Sequence, residues 1–168
     1  MYLKESSYFG YSVEYDNKKI STTGIVFNTM LGGSSNSLLF QNVREKESLA
    51  YSIGSAYSRL KNVLFIRCGI EISNFDLAKK LISKQLDILK HGDFDEGQIV
   101  DSKTYVISSI DSMVEDQISE LNFYLNLDLQ NINISINDYK NMVSAVTKED
   151  IIDFANSIKL NTIYFLKD

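Results

Sequence analysis

The sequence predicts an α+β fold, in which helices pack on one face of a mostly antiparallel sheet. The predicted elements follow one another as strand, helix pair, strand hairpin, long helices and strand. Too few helical crossovers separate these strands for a doubly wound parallel sheet. Apolar residues make up 44% of the 168 residues and charged residues 23%, which are values typical of a globular protein with a core. With no linker, internal repeat or low-complexity segment, residues 1–168 are expected to form one domain.

Alternating apolar and polar residues predict four strands. They cover residues 7–15, 50–59, 62–72 and 162–166, and the short break at 60–61 indicates a hairpin. The face of the third strand expected to meet helices carries Leu64, Ile66, Cys68, Ile70 and Ile72. The opposite face, expected to meet a cavity or another subunit, carries Val63, Phe65, Arg67, Gly69 and Glu71.

Apolar residues at three- and four-residue spacing predict the helices. These cover 20–31, a second helix capped by Ser35 or Asn36 that has Arg44 in its last turn, 74–91, a long helix from 95 to about 125 that bends near 115–116, and the shorter 137–145 and 148–158. The pair Gly32-Gly33 is expected to end the first helix in left-handed conformation, Gly92 to stop the third, and Thr147 to cap the last. Residues 127–137 alternate as a strand would.

Residues 31–52 combine glycines, an arginine and a tyrosine more densely than any other stretch. They contain, in order, Gly32-Gly33, Ser37-Leu38-Leu39-Phe40, Arg44-Glu45-Lys46 and Leu49-Ala50-Tyr51. This series resembles the C-terminal half of the insulinase and mitochondrial-processing-peptidase family of zinc metallopeptidases, peptidase family M16. One position departs, with Leu38 where the family usually has arginine. The resemblance covers nearly the whole chain. It implies a metallohydrolase half-unit of the same α+β architecture, with a connecting segment at 127–137.

The resemblance also implies where the metal lies. The family's first half carries a His-x-x-Glu-His helix, in which two histidines bind zinc and the glutamate is the general base. This sequence has one histidine, so we expect no metal ligand and no catalytic residue in this chain alone. Zinc is expected in a missing N-terminal half or in a partner chain, and the isolated chain is expected to be inactive. His91, directly before Gly92, suits a role at a helix terminus.

Arg44 and Tyr51 are the candidate substrate-binding residues. In the resemblance they match an arginine and a tyrosine that hydrogen-bond the backbone of the peptide substrate near the scissile bond. A guanidinium offers a fixed fork of donors, and a neutral phenol can donate to a developing oxyanion. The alternative is that Arg44 pairs with Glu45 or Glu47 at the surface and that Tyr51 is an ordinary strand aromatic.

Two functions therefore stay open. The chain is the substrate-holding, non-zinc half of a zinc-dependent endopeptidase, or it is a non-catalytic peptide-binding or scaffolding subunit of a hetero-oligomer in the same family. The expected partners are a peptide substrate and an N-terminal half or homologous chain. A homo-oligomer also fits the apolar outer face of the third strand.

Composition argues against other classes. A net charge of −5 without a basic run lacks the footprint of a nucleic-acid binder. No apolar run approaches the roughly 20 residues of a membrane helix. The single cysteine and the lack of a charged-then-apolar leader favour the cytoplasm. The run Gly32-Gly33-Ser34-Ser35 lacks the Lys-Ser/Thr of a phosphate-binding loop, so a turn is expected there.

Overall fold

The computed structural model describes residues 6–15 and 22–166, and four antiparallel strands form one sheet within them. The strands are β1 (Ser6–Val13), β2 (Ser52–Ser58), β3 (Val63–Gly69) and β4 (Ile158–Leu166). Their order across the sheet is β2-β3-β1-β4, and every neighbouring pair is antiparallel. The predicted hairpin is β2-β3, so β2 and β4 are the edge strands.

The helices pack against one face of this sheet, which confirms the predicted α+β architecture. They are α1 (Thr23–Asn28), α2 (Phe75–His91), α3 (Glu96–Val114), α4 (Gln117–Asp128), α5 (Ile136–Ala145) and α6 (Lys148–Asn156). Two further segments, π1 (Thr29–Gly33) and π2 (Phe40–Lys46), have the wider π-helical backbone, and a 3₁₀ turn spans Ile72–Asn74. Within the described ranges, none of the helices has the length and apolarity needed to cross a bilayer.

Three residues that the sequence placed at helix ends lie there as expected. Gly92 adopts a φ of 73° and closes α2, a conformation that favours glycine. Thr147 caps α6, because its side chain accepts a hydrogen bond from the backbone N–H of Asp150. The side chain of Asp150 in turn accepts from the backbone N–H of Thr147. His91 lies in the last turn of α2, with its Nδ1 2.8 Å from the carbonyl oxygen of Asp87.

The two faces of the sheet differ in burial as the strand pattern predicts. On the helix side, Phe9, Leu64, Ile66 and Cys68 are fully buried in the core together with Phe27, Leu39, Ile82, Leu89 and Phe154. On the opposite side, Tyr8, Phe65 and Tyr164 are 37%, 47% and 58% exposed. We call this opposite side the open face. Large aromatic residues there are a poor match for bulk water.

Several predicted boundaries are wrong. Strand β3 ends at Gly69, because the chain then enters the 3₁₀ turn, so Glu71 and Ile72 do not belong to its two faces. Strand β4 begins at Ile158, not 162, since it pairs with β1 along its length. The predicted bend near 115–116 is a break, where Asp116 accepts from the backbone N–H of Ser119 and caps α4.

Two other predicted segments are borne out only in part. Helix α4 continues to Asp128, and the connecting segment is shorter than predicted, ending at the cap of α5, Ser135. The first helix is described from Thr23 onward, and the predicted start at 20–21 lies outside the described residues.

Candidate functional site

The helix ends at Gly33, as predicted, but the predicted left-handed conformation of Gly32-Gly33 is wrong. Both glycines belong to π1, and among the described glycines only Gly92 has a positive φ. A Cβ on Gly32 would lie 2.7 Å from both the backbone N and the Oγ of Ser55 in β2. A glycine is therefore needed here because the helix backbone lies directly against the edge strand.

Side-chain hydrogen bonds join the end of α1, directly before π1, to β2 and join π2 to α2. Ser55 in β2 donates its hydroxyl to Oδ1 of Asn28, just before π1, at 2.8 Å. Asn42 in π2 donates to Oε1 of the buried Gln85 in α2 at 2.7 Å. These contacts fix the helical segments that precede the two candidate residues.

Arg44 lies in the last turn of π2, as predicted from the sequence, although the backbone is π-helical. This helical stretch begins at Leu38 after a turn in which Ser37 donates to the carbonyl of Ser34, so the predicted cap at Ser35 or Asn36 is wrong. The guanidinium carbon of Arg44 lies 4.7 Å from the centroid of the Phe40 ring. Stacking on this ring orients the guanidinium.

The surface ion pair considered for Arg44 is present but loose. Its Nε lies 3.7 Å from Oε1 of Glu45, which is longer than a hydrogen bond, and the Arg44 side chain is 42% exposed. Exposed pairs of this kind contribute about 0–1 kcal/mol. The pair therefore leaves the guanidinium able to bind a ligand.

Tyr51 directly precedes β2 and lies on the open face. Its backbone N–H donates to the carbonyl of Gly69 at 3.0 Å, and its side chain is exposed. A Cβ on Gly69 would lie 2.3 Å from Cε2 of Tyr51, so the ring covers this glycine. Because Gly69 alternates with Cys68 along β3, its missing side chain would point to the open face. This places the Tyr51 ring over the end of β3.

A turn over residues 47–50 separates Arg44 from Tyr51. Ser48 adopts a φ of 50°, and the N–H of Leu49 returns to the carbonyl of Val43 at 3.2 Å. Ala50 is buried. The two candidate residues thus follow one another on a closed turn, one at the end of π2 and the other at the start of the sheet.

A shallow groove of about 500 Å³ lies on the open face, and its lining begins at Ser52, the residue directly after Tyr51. Its lining includes the small residues Ser52, Gly54 and Ala56 of β2, together with Phe65, Arg67 and Tyr8. The sequence analysis placed Phe65 and Arg67 on a face expected to meet a cavity or another subunit. It did not single out Tyr8, which alternation along β1 places on the same face.

The described residues of this chain do not fit a zinc site. Among the described residues, no group of three or more His, Cys, Asp and Glu is placed to hold a metal ion. His91, the one histidine of the sequence, is instead at a helix terminus with the carbonyl of Asp87. No step of a mechanism can therefore be assigned to a metal bound by these residues.

A second cavity, of about 370 Å³, lies between the 34–36 turn and α3. Asp101 is the charged residue in the described part of its lining, which is otherwise rich in hydroxyl groups. A carboxylate disfavours anions, so this cavity agrees with the rejection of a phosphate-binding loop at Gly32-Gly33.

Cys68 is buried, and burial raises the pKa of its thiol to about 12, which leaves it in the inert protonated form.

Comparisons with known proteins identify the family of this chain. The model of the family described as "Peptidase M16 inactive domain" matches residues 5–105. The Bacillus subtilis protein named "Probable inactive metalloprotease YmfF" is 38% identical over 142 residues, which are 84% of this chain and 33% of that protein. The chain thus spans about a third of the length of this relative.

Solved structures show the same fold. A conserved protein from Enterococcus faecalis V583 superposes with a TM-score of 0.89 at 25% identity, over 98% of this chain and 39% of that one. The peptidase M16 inactive domain from Pseudomonas fluorescens superposes with a TM-score of 0.78 at 17% identity, over 97% of this chain and 40% of that one. The match to the family model, together with the fold, shows that this chain belongs to the M16 peptidase family and corresponds to its C-terminal, inactive domain.

Proposed function

We propose that this chain is the substrate-holding, non-zinc half of a zinc-dependent endopeptidase. Its His-x-x-Glu-His half lies in the rest of a longer protein or in a homologous partner chain. The observation that carries the proposal is the placement of Arg44 and Tyr51, both exposed and held on successive elements joined by one closed turn. The π-helical backbone of the Arg44 segment adds support, since such backbone is rare and frequently occurs at functional sites.

The chemistry of the two side chains suits a peptide backbone. The Tyr51 hydroxyl donates a hydrogen bond to a peptide carbonyl oxygen, and this bond strengthens as the oxygen becomes an oxyanion. Arg44 presents parallel N–H groups to further carbonyls of the same peptide and keeps its charge throughout. A zinc ion held by the other half would supply the activated water, while the residues of this chain bind and orient the substrate.

The test uses the chain assembled with its zinc-bearing half. Tyr51→Phe keeps the ring over Gly69 but deletes one donor, so kcat should fall by roughly 10²–10³, as for an oxyanion-hole donor. Arg44→Lys should also lower kcat/KM, because an ammonium cannot reproduce the planar fork. Tyr105→Phe, an exposed tyrosine on α3, is the matched control and should have no effect. Near-normal kcat and KM in both site variants, with unchanged stability, would mean that the pair is ordinary surface chemistry.

A non-catalytic peptide-binding or scaffolding subunit is the second candidate. The name of the 38% identical relative, an inactive metalloprotease, favours it, and so does Leu38 in place of the family's arginine. The zinc content of the complete assembly separates the two functions. An assembly that holds no zinc, cleaves no peptide and still binds peptides through Arg44 and Tyr51 supports the second function over the first.

A further inference from the structure

We infer that the groove beside Tyr51 selects peptides that carry an acidic side chain, and that Arg67 is the residue that binds this side chain. The inference rests on the proposed function, since it requires a peptide held at Tyr51. It adds a substrate class, which neither the family membership nor the pair Arg44 and Tyr51 specifies.

The spacing along β3 supports a peptide that lies lengthwise on the open face. Gly69, covered by Tyr51, is followed at two-residue steps by Arg67 and Phe65 on this face. Residues two apart on a strand are separated by about 6.6 Å, and an extended peptide has the same repeat. A peptide bound at Tyr51 would thus bring alternate side chains to Arg67 and then to Phe65.

The neighbouring strands leave room for that peptide. Across β3, the β2 partners of Gly69, Arg67 and Phe65 are the small residues Ser52, Gly54 and Ala56. On the other side, Tyr8 of β1 pairs with Arg67 in the register, and its ring forms a wall. Small side chains therefore keep the groove open on the side of β2, and the Tyr8 ring bounds it on the side of β1.

Within the described residues, Arg67 is oriented but has no ion-pair partner. Its guanidinium carbon lies 6.0 Å from the centroid of the Tyr8 ring, and Tyr8 in turn lies 6.4 Å from the Tyr164 ring. The ion pairs found in the described part of the chain involve other cations, namely Arg44, Lys140 and Lys159. Arg67 is also the charged residue among the described residues that line the groove.

These properties favour a carboxylate. A guanidinium placed over an aromatic ring is partly pre-organised, so less conformational entropy is lost when it binds a ligand. Arginine and carboxylate can form two parallel hydrogen bonds, whereas a lysine side chain of a peptide would be repelled. In a chain with net charge −5, a positive group in an aromatic groove also attracts an acidic ligand locally while the rest of the surface does not.

The experiment measures peptide binding to the assembly of this chain with its zinc-bearing half, inactivated by Glu→Gln in that half's zinc motif. The probes are three fluorescein-labelled ten-residue peptides that differ at one central position, which carries Glu, Gln or Lys. The position is then moved along the peptide in steps of one residue. Fluorescence anisotropy should give a Kd for the Glu peptide at least about tenfold below that of the Lys peptide at the best position.

Variants assign this preference to Arg67. Arg67→Gln should abolish the difference between the Glu and Gln peptides, and Arg67→Glu should make the Lys peptide the tightest binder. Lys80→Gln, an equal charge change on the solvent side of α2, should leave the ranking unchanged. Thermal melting of each variant checks folding, and the ratio of Kd values in the wild type tests the inference even if a variant fails to fold.

The outcomes separate this inference from the function on which it rests. Equal Kd values for all three peptides, each weakened by Tyr51→Phe, would overturn the inference and leave the substrate-holding function standing. A Glu preference that survives Arg67→Gln would assign it to another residue and would also overturn the inference. Failure of every peptide to bind would count against both.

Discussion

The ring of Tyr51 occupies the space that a side chain at Gly69 would need. A Cβ on Gly69 would lie 2.3 Å from Cε2 and 2.5 Å from Cζ of this ring, and 2.6 Å from Oγ of Ser52. The residue at the end of β3 thus determines where the candidate substrate-binding tyrosine lies. Gly69 is in this way part of the candidate site.

Gly69→Ala should displace the Tyr51 ring and lower peptide binding to the level of Tyr51→Ala. The cost in the free energy of unfolding should be small, about 1 kcal/mol, because the exposed ring can move away. Urea denaturation measures the stability, and fluorescence anisotropy with a labelled peptide measures the binding. Gly10→Ala is the matched control for the stability measurement, since its Cβ would have only ordinary contacts, 3.7 Å or longer. Wild-type binding by Gly69→Ala would contradict the dependence of Tyr51 on this glycine.

Gly32→Ala should destabilise the fold more strongly than Gly69→Ala does. Its Cβ would meet the backbone N of Ser55 at 2.7 Å, and this atom cannot move without shifting β2. Overpacking of this kind costs about 1–3 kcal/mol or more, and we expect the upper end of the range. Chemical denaturation gives the value, again with Gly10→Ala as the reference. A loss below that of Gly69→Ala would mean that π1 can move away from the sheet.

Cys68 should not react with thiol reagents in the folded chain. Burial raises the pKa of its thiol to about 12, so little thiolate forms near neutral pH, and the side chain is inaccessible. Labelling with a chromogenic disulfide should be slow in buffer and complete in denaturant. Fast labelling of the native protein would contradict the burial of this residue.

The same pKa predicts how stability depends on alkaline pH. The unfolded thiol, with its ordinary pKa of about 8.5, loses its proton before the folded one does. The unfolded state is therefore favoured increasingly as the pH rises from about 8.5 towards the folded value of about 12. Denaturation at several pH values should show a decline that is smaller in Cys68→Ala, after correction for the cavity that this change creates. An equal decline in both proteins would assign it to other groups, such as Tyr11, whose pKa burial also raises to about 12.

The isolated chain should self-associate through its open face. Phe65 and Tyr164 are exposed there, and the helices of the chain lie on the other side of the sheet. Sedimentation velocity should show a concentration-dependent increase in mass, and Phe65→Ser should reduce it. Leu60→Ser, at the exposed tip of the β2-β3 hairpin, is the control. Wild-type protein that remains monomeric at all concentrations would contradict self-association through the open face.

The sequence predicts most elements of the fold because their patterns are local. The alternation along β3 and the helical spacing along α2 depend on residues that are near one another in the chain. The start of β4 could not be found in this way. Ile158 and the residues after it form a strand because they pair with β1, at the other end of the sequence.

In the candidate site, the sequence predicts only those residues that belong to its short motifs. Arg44 and Tyr51 stand out through four short motifs, whereas the need for glycine at position 32 arises from contact with the distant Ser55. No residue preference separates a π-helix from an α-helix in this segment, so π2 was not foreseen. The pairing of Arg67 with the Tyr8 ring likewise depends on the register between β1 and β3.

The turn between Arg44 and Tyr51 tolerates changes of residue type better than changes in the number of its residues. Glu47 and Ser48 are exposed, so other residues can replace them, preferably ones that accept the positive φ at position 48. The buried Ala50 and the hydrogen bonds of Leu49 and Tyr51 fix both ends of the turn. One inserted or deleted residue would displace Tyr51 from the carbonyl of Gly69, to which its backbone N–H donates, and would thereby move the ring off this glycine. In homologous sequences, substitutions in this turn are therefore compatible with the candidate site, whereas insertions and deletions are not.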